Sequence, residues 1–275
     1  MGLLGPGSAV DSGMARRRSA ALRWIRRAFL VWAAASSLWL ANSYRTQGVD
    51  SHDLRADARV ALREDAATLA FQPAAPGAAA ALLFFCGSGV AAQAYAPLLR
   101  PVAEAGFPVY VVKLPYRFAP LESHRLEALA RAARTMAAHP DITRWVVAGH
   151  SQGGALAARF ASGEGAGAAA LVLIGTTHPK ARSLAALPIP VAKIYATNDE
   201  VAPPSRVLAN KALLPPQTEW VEVVGGNHAQ FGHYGRQLGD GAASITREAQ
   251  QEQARAVLLR VLQGVQAAAR RPGAT

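Results

Sequence analysis

Among 275 residues there is a single cysteine, Cys86. No intramolecular disulfide can form, and zinc sites built from several thiolates are excluded. Acidic residues are also scarce, 18 Asp and Glu against 29 Lys and Arg, which leaves a formal net charge of +11. Such an excess would suit a nucleic-acid partner if it formed a stripe on a folded domain. Instead Arg16, Arg17, Arg18, Arg23, Arg26 and Arg27 crowd one end, all ahead of an apolar run. The basicity reads as a topology signal, and no nucleic-acid partner is expected.

A full-length hydrophobic span is missing too. Ala28 to Ala41, AFLVWAAASSLWLA, carries no charge, but it is shorter than the roughly 20 residues of a comfortable membrane helix. Three roles stand open: an uncleaved anchor, a cleaved export signal and a buried helix. The basic flank, with Trp24, Trp39 and Tyr44 at interface-like positions, favours the anchor. Arg26-Arg27-Ala28-Phe29-Leu30 also resembles a short twin-arginine export signal. Either export route places the chain beyond about Tyr44 on the far side of a membrane, the bacterial periplasm. The organisation expected is a basic terminus with anchor or signal over 1–44, a polar connector over 45–57 and a folded domain over 58–275.

About half of all residues are apolar, enough to bury a sizeable core. In the folded part, short β-branched runs alternate with alanine-rich stretches of helical period, the pattern of a mostly parallel sheet covered by helices. Strands are expected at Val60–Leu62, Thr68–Phe71, Ala81–Phe85, Val109–Leu114, Trp145–Ala148, Ala170–Ile174, Val191–Ala196 and Trp220–Val224. Helices are expected at Ala94–Ala105, Leu121–Ala138, Gly153–Ala161 and Ile245–Arg270. The fold class is α/β with eight strands.

Directly after the strand ending at Ala148 stands Gly149-His150-Ser151-Gln152-Gly153-Gly154. A Gly-x-Ser-x-Gly sequence between a strand and a helix is the setting of a nucleophile elbow, where a serine sits on a turn too sharp for bulky neighbours. Ser151 is the candidate nucleophile. Gln152, opening the helix, would offer its backbone N–H to an oxyanion. A base and an orienting acid should follow later strands in the order serine, acid, histidine. Asp199 and Glu200 follow the strand ending at Ala196, and Asp199 is preferred because it lies nearer the strand end. His228 follows the strand ending at Val224, with Gly225 and Gly226 letting the loop bend back; His233 is its competitor. The loop Cys86-Gly87-Ser88-Gly89 after the third strand should supply the second oxyanion donor, Ser88 N–H. Cys86 itself reads as core or site lining, and His150 as packing.

These residues resemble the α/β-hydrolase superfamily from about Val60 onward. The similarity is closer to a bacterial branch in Phe84 to Gly89 with Tyr95-Ala96-Pro97, Lys113-Leu114-Pro115, Gly149 to Gly154, and Gly226-Asn227-His228-Ala229-Gln230-Phe231-Gly232 with Tyr234-Gly235. The resemblance implies a triad of Ser151, Asp199 and His228, and it too prefers His228 to His233. It departs at Cys86, where a proline or histidine is more usual. The implied activity is a serine hydrolase of the carboxylesterase kind (EC 3.1.1) acting on a small acyl substrate, with no metal and no cofactor. An acyltransferase with the same triad and a non-catalytic binding protein remain alternatives. Only about fifteen residues, Thr176 to Pro190, join the sixth and seventh strands, so no large lid and a fairly open pocket are expected.

Overall fold

A computed structural model describes residues 8–75, 78–163 and 167–270. The chain divides into two units, Met1–Ser43 and Tyr44–Thr275. The described part of the first is one helix, α1 (Ser8–Ser43). The expected membrane anchor is not met there. No helix among the described residues is long and apolar enough to cross a membrane. The charge-free stretch from Ala28 to Ala41 is helical, but at 1.5 Å per residue it covers roughly 21 Å of a hydrocarbon core about 30 Å thick.

The second unit is built on an eight-stranded sheet: β1 (Val60–Glu64), β2 (Thr68–Pro73), β3 (Ala80–Phe85), β4 (Val109–Val112), β5 (Arg144–His150), β6 (Ala168–Ile174), β7 (Val191–Ala196) and β8 (Glu219–Val223). Every expected strand is present, with its ends within two residues. The spatial order is β1-β2-β4-β3-β5-β6-β7-β8. β1 and β2 form an antiparallel hairpin, closed by the Asp65 carboxylate, which accepts the N–H groups of Ala67 and Thr68 at 2.7 and 2.6 Å. β2 meets β4 antiparallel, and from β4 to β8 all pairs are parallel.

The helices of this unit are α2 (Ala96–Glu104), α3 (Glu122–Ala137), α4 (Gln152–Ala161), α5 (Pro204–Ala209) and α6 (Arg247–Ala269). α5 is the one absent from the sequence reading; at six residues it is too short for a helical period to register. All residues of β3 and β4 are buried, so both faces of the central sheet are covered. α2 packs with α6 and α3 with α4, each pair also touching the strands.

Residues 45–57, expected as a connector, lie docked on this unit. Gln47 N–H donates to the His233 carbonyl at 2.9 Å, Thr46 bridges Tyr234, and the buried Arg100 of α2 holds the Asp57 carboxylate at 2.7 Å. Because the central strands run parallel, their carboxyl ends share one edge, and the loops leaving it converge. The expected site residues all follow strand ends on that edge: Ser88 after β3, Ser151 after β5, Asp199 after β7 and His228 after β8.

Candidate active site

Ser151 stands between β5 and α4 with φ 56° and ψ −120°, a left-handed φ that costs a non-glycine residue about 1–3 kcal/mol. The surroundings enforce that geometry. Ser151 N–H donates to the Ile174 carbonyl of β6 at 2.9 Å. A Cβ on Gly149 would lie 2.2 Å from the Gly153 carbonyl oxygen, and one on Gly153 would lie 2.1 Å from that of Phe85. Glycine at both positions is what allows α4 to start hard against β3. Gln152 opens α4, so its N–H has no helical carbonyl behind it and is free for an incoming anion.

Asp199 is fully buried and spends its two oxygens differently. Oδ1 accepts the N–H groups of Val201 and Ala202 at 2.9 and 2.6 Å, while Oδ2 lies 2.8 Å from His228 Nδ1. The first pair locks the carboxylate; the second orients the imidazole. His228 Nε2 is buried and has no hydrogen-bond partner. Both His228 and Ser151 line one cavity of about 750 Å³, together with Ser88 and Gln152. The five sequence-derived positions thus meet as a paired acid and histidine, and a serine, Gln152 and Ser88 around one space. His233 does not join them: its N–H donates to the Ala94 carbonyl at 2.6 Å, its carbonyl accepts from Gln47, and burial lowers its pKa.

The loop after β3 narrows the choice of a second oxyanion donor. Gly87 N–H is taken by the Tyr95 hydroxyl at 2.9 Å, and Gly89 N–H by the Arg117 carbonyl at 2.7 Å. Ser88, between them, is the one that borders the cavity. Cys86 is buried in the core, and burial pushes its thiol up to about 12, which suits a packing role.

Four residues to which the sequence assigned no role support this arrangement. Asp240, buried in the loop after Tyr234, accepts His228 N–H through Oδ1 at 3.2 Å and Ala229 N–H through Oδ2 at 2.9 Å. Burial raises its pKa, partly opposed by those two N–H bonds. From α6, the Gln250 amide grips the backbone of Asn227 on both sides, accepting its N–H at 3.0 Å and donating to its carbonyl at 2.7 Å, and Gln251 donates to the Gln230 carbonyl at 3.1 Å. The Tyr95 hydroxyl, already accepting Gly87 N–H, lies 3.0 Å from His150 Nδ1. It ties the oxyanion loop to the elbow. His150 packs on His228 with ring centroids 4.6 Å apart; burial first, then the charge His228 can carry, hold its pKa well below the usual imidazole range. His150 therefore stays neutral beside the candidate base. None of these contacts follows from a local spacing in the sequence, since each joins segments at least eight residues apart.

Residues 81–252, the stretch that holds this strained serine and the hydrogen-bonded acid and histidine, match a family model described as the alpha/beta hydrolase family. The chain belongs to the alpha/beta hydrolase family. The matched region runs from β3 into α6 and covers more than half of the chain. No curated protein matches. Among solved structures, this alpha/beta hydrolase is similar to a thermophilic esterase from Thermogutta terrifontis with malate bound, at 14% identity and TM-score 0.56, over 73% of this chain and 93% of that one. It is also similar to Est1E from Butyrivibrio proteoclasticus, at 13% identity and TM-score 0.53, over 74% and 99%. A predicted CIB-like hydrolase from Thermoplasma acidophilum aligns at 13% identity and TM-score 0.57, over 74% and 99%. At such identities the likeness is one of fold: a mostly parallel eight-stranded α/β-hydrolase sheet with no large lid.

Proposed function

We propose that this alpha/beta hydrolase is a serine hydrolase that cleaves a carboxylic ester, an EC 3.1.1 type of reaction, through an acyl-enzyme on Ser151. The observation carrying the reading is the buried Asp199–His228 pair at 2.8 Å, whose unpartnered Nε2 belongs to the same cavity as the serine on its strained turn.

In this mechanism His228 Nε2 takes the Ser151 hydroxyl proton as Oγ attacks the ester carbonyl. Asp199 Oδ2 holds the Nδ1 proton, fixing the tautomer and stabilising the imidazolium. The tetrahedral oxyanion receives the N–H groups of Gln152 and Ser88. The C–O bond to the alcohol then breaks, and His228 returns the proton to the leaving oxygen. Water attacks the acyl-enzyme by the same route, releasing the acid and restoring Ser151.

Covalent labelling of the full chain by a fluorophosphonate probe tests the proposal, with Ser151→Ala and His228→Ala alongside. Rapid labelling of the parent, lost in both variants, is the expected result. A folded parent that stays unlabelled would overturn the reading in favour of a binding protein.

Location rests on sequence alone: the arginine-rich flank ahead of the charge-free stretch favours export of the chain beyond about Tyr44 to the periplasmic side. Protease added to intact spheroplasts should then digest the hydrolase unit. Protection until lysis would place it in the cytoplasm.

A further inference from the structure

The cavity before Ser151 changes chemistry along its length. Ala155 and Leu156 of α4, Leu184, Val201 and Ala202 give it an apolar lining. Among the described residues, the same cavity is also bordered by four cationic side chains, Arg125, Arg159, Lys180 and Arg182, and by one carboxylate, Glu122. Ala155 and Arg159 stand four residues apart and share one face of α4, which Ser151 precedes at the N-cap. At 1.5 Å per residue, Arg159 stands roughly 12 Å along the helix from the nucleophile.

Glu122 cannot balance this wall. It pairs with Arg159 and, at 3.5 Å, with Arg125, so one negative charge is divided between two guanidinium groups. Among the described residues, Arg182 donates only to the Ser162 carbonyl, at 3.1 Å, and Lys180 makes no ion pair. A surface carrying such an excess by accident would scatter it over solvated faces. Here four cations border one concave space, where low-dielectric walls concentrate their field. The adjoining His178, also on the cavity wall, is held down to about 4 chiefly by burial, with the charges of Lys180 and Lys193 adding to it.

We infer that the ester this site accepts carries a second, anionic group, a carboxylate or a phosphate, remote from the scissile bond and held by Arg125, Arg159, Lys180 and Arg182. The inference rests on the serine-hydrolase reading above and adds the substrate class. Hydrolysis leaves that group untouched: water is consumed, the ester C–O bond breaks, and an acid and an alcohol leave, one of them bearing the extra anion. The apolar stretch between nucleophile and cations suits a hydrocarbon spacer, and the spacer places the anion where apolar lining gives way to charge.

The test uses the full chain and matched nitrophenyl esters whose acyl chain ends in a methyl, a carboxylate, a phosphate or a trimethylammonium group. A second set has a neutral acyl group and the same four ends on the alcohol. At least a tenfold preference in kcat/KM for an anionic over the neutral ester is expected at low salt, in one of the two sets. It should shrink toward parity near about 1 M salt, where the screening length is roughly 3 Å. The faster of the carboxylate and phosphate arms identifies the source of the anion. Lys180→Gln and Arg182→Gln should lower the anionic-to-neutral ratio, and Glu122→Gln should raise it. These opposite signs separate a charge effect from general damage. Neutral or cationic esters preferred in both sets, or a ratio indifferent to all three variants, overturns the inference while probe labelling of Ser151 leaves the hydrolase reading standing. A parent that neither labels nor turns over any ester overturns both.

Discussion

Replacing Asp199 by Asn changes one atom of a buried group and should nearly abolish turnover, for a reason visible in its hydrogen bonds. Oδ1 accepts two backbone N–H groups, from Val201 and Ala202. An asparagine must keep its oxygen there, since turning its NH₂ toward two buried donors would leave both unsatisfied at about 1–3 kcal/mol each. The NH₂ is then forced into the place of Oδ2, 2.8 Å from His228 Nδ1. An amide N–H in that position needs an acceptor, so Nδ1 gives up its proton and Nε2 carries it. A protonated neutral Nε2 cannot take the proton of Ser151. The expected loss is on the order of 10⁴-fold in the rate of ester turnover, equivalent to about 5.5 kcal/mol of transition-state stabilisation. Stability should change far less, because the turn at Asp199 keeps its two backbone bonds. The assay pairs fluorophosphonate labelling rates and ester kinetics near neutral pH with a urea melt of both proteins. A folded Asp199→Asn variant retaining more than a tenth of the parental rate would refute the assignment of Asp199 as the orienting acid.

Three other outcomes follow from the same contacts. Gly153→Ala puts a Cβ 2.1 Å from the Phe85 carbonyl oxygen and 2.4 Å from that of Cys86; backbone on both sides cannot yield, so a loss of about 3 kcal/mol or more is expected. A thermal melt would show it as a fall of roughly 6–12 °C, and an unshifted midpoint would contradict the close docking of α4 on β3. Tyr95→Phe orphans the buried Gly87 N–H, at a cost of about 1–3 kcal/mol in stability, and loosens the oxyanion loop. Steady-state kinetics should record a drop in kcat of about tenfold with KM little changed, and an unaltered kcat would remove Tyr95 from that role. Stability should also fall with acid. His150, His178 and His233 are held below the ordinary imidazole range chiefly by burial, so the folded state stays neutral where the unfolded chain binds protons. Their contribution is complete above roughly pH 6.5 and is lost as pH falls below it, at about 1.4 kcal/mol per pH unit for the buried His150 alone. Urea midpoints that stay flat from neutral to mildly acidic pH would contradict this.

The strands were legible because a parallel strand covered on both faces must be apolar at nearly every position; Ala80–Phe85 and Val191–Ala196 carry that pattern with little need of context. Ser151 was legible because its strain is local: the glycines that permit the turn stand two residues to either side. Asp199 and His228 could be placed from chain order alone, each just beyond a strand end. A membrane-spanning anchor was not legible in the N-terminal stretch, because a short apolar run after arginines looks the same whether or not its helix can reach across a bilayer.

What the sequence by itself determined is the layered sheet, the edge on which the site lies and the short set of candidates that could meet there, since each is written in periodicity or in a motif a few residues long. Only the tertiary structure decided which histidine pairs with the acid, that Gly87 is occupied while Ser88 faces the cavity, that Asp240 and Gln250 hold the histidine loop, and that four cations border one side of the pocket. Those facts depend on where side chains from distant segments point once the parallel strands bring their ends together. Hydrogen bonds and charge clusters across tens of residues leave no period in the chain; they exist only after burial has chosen their partners.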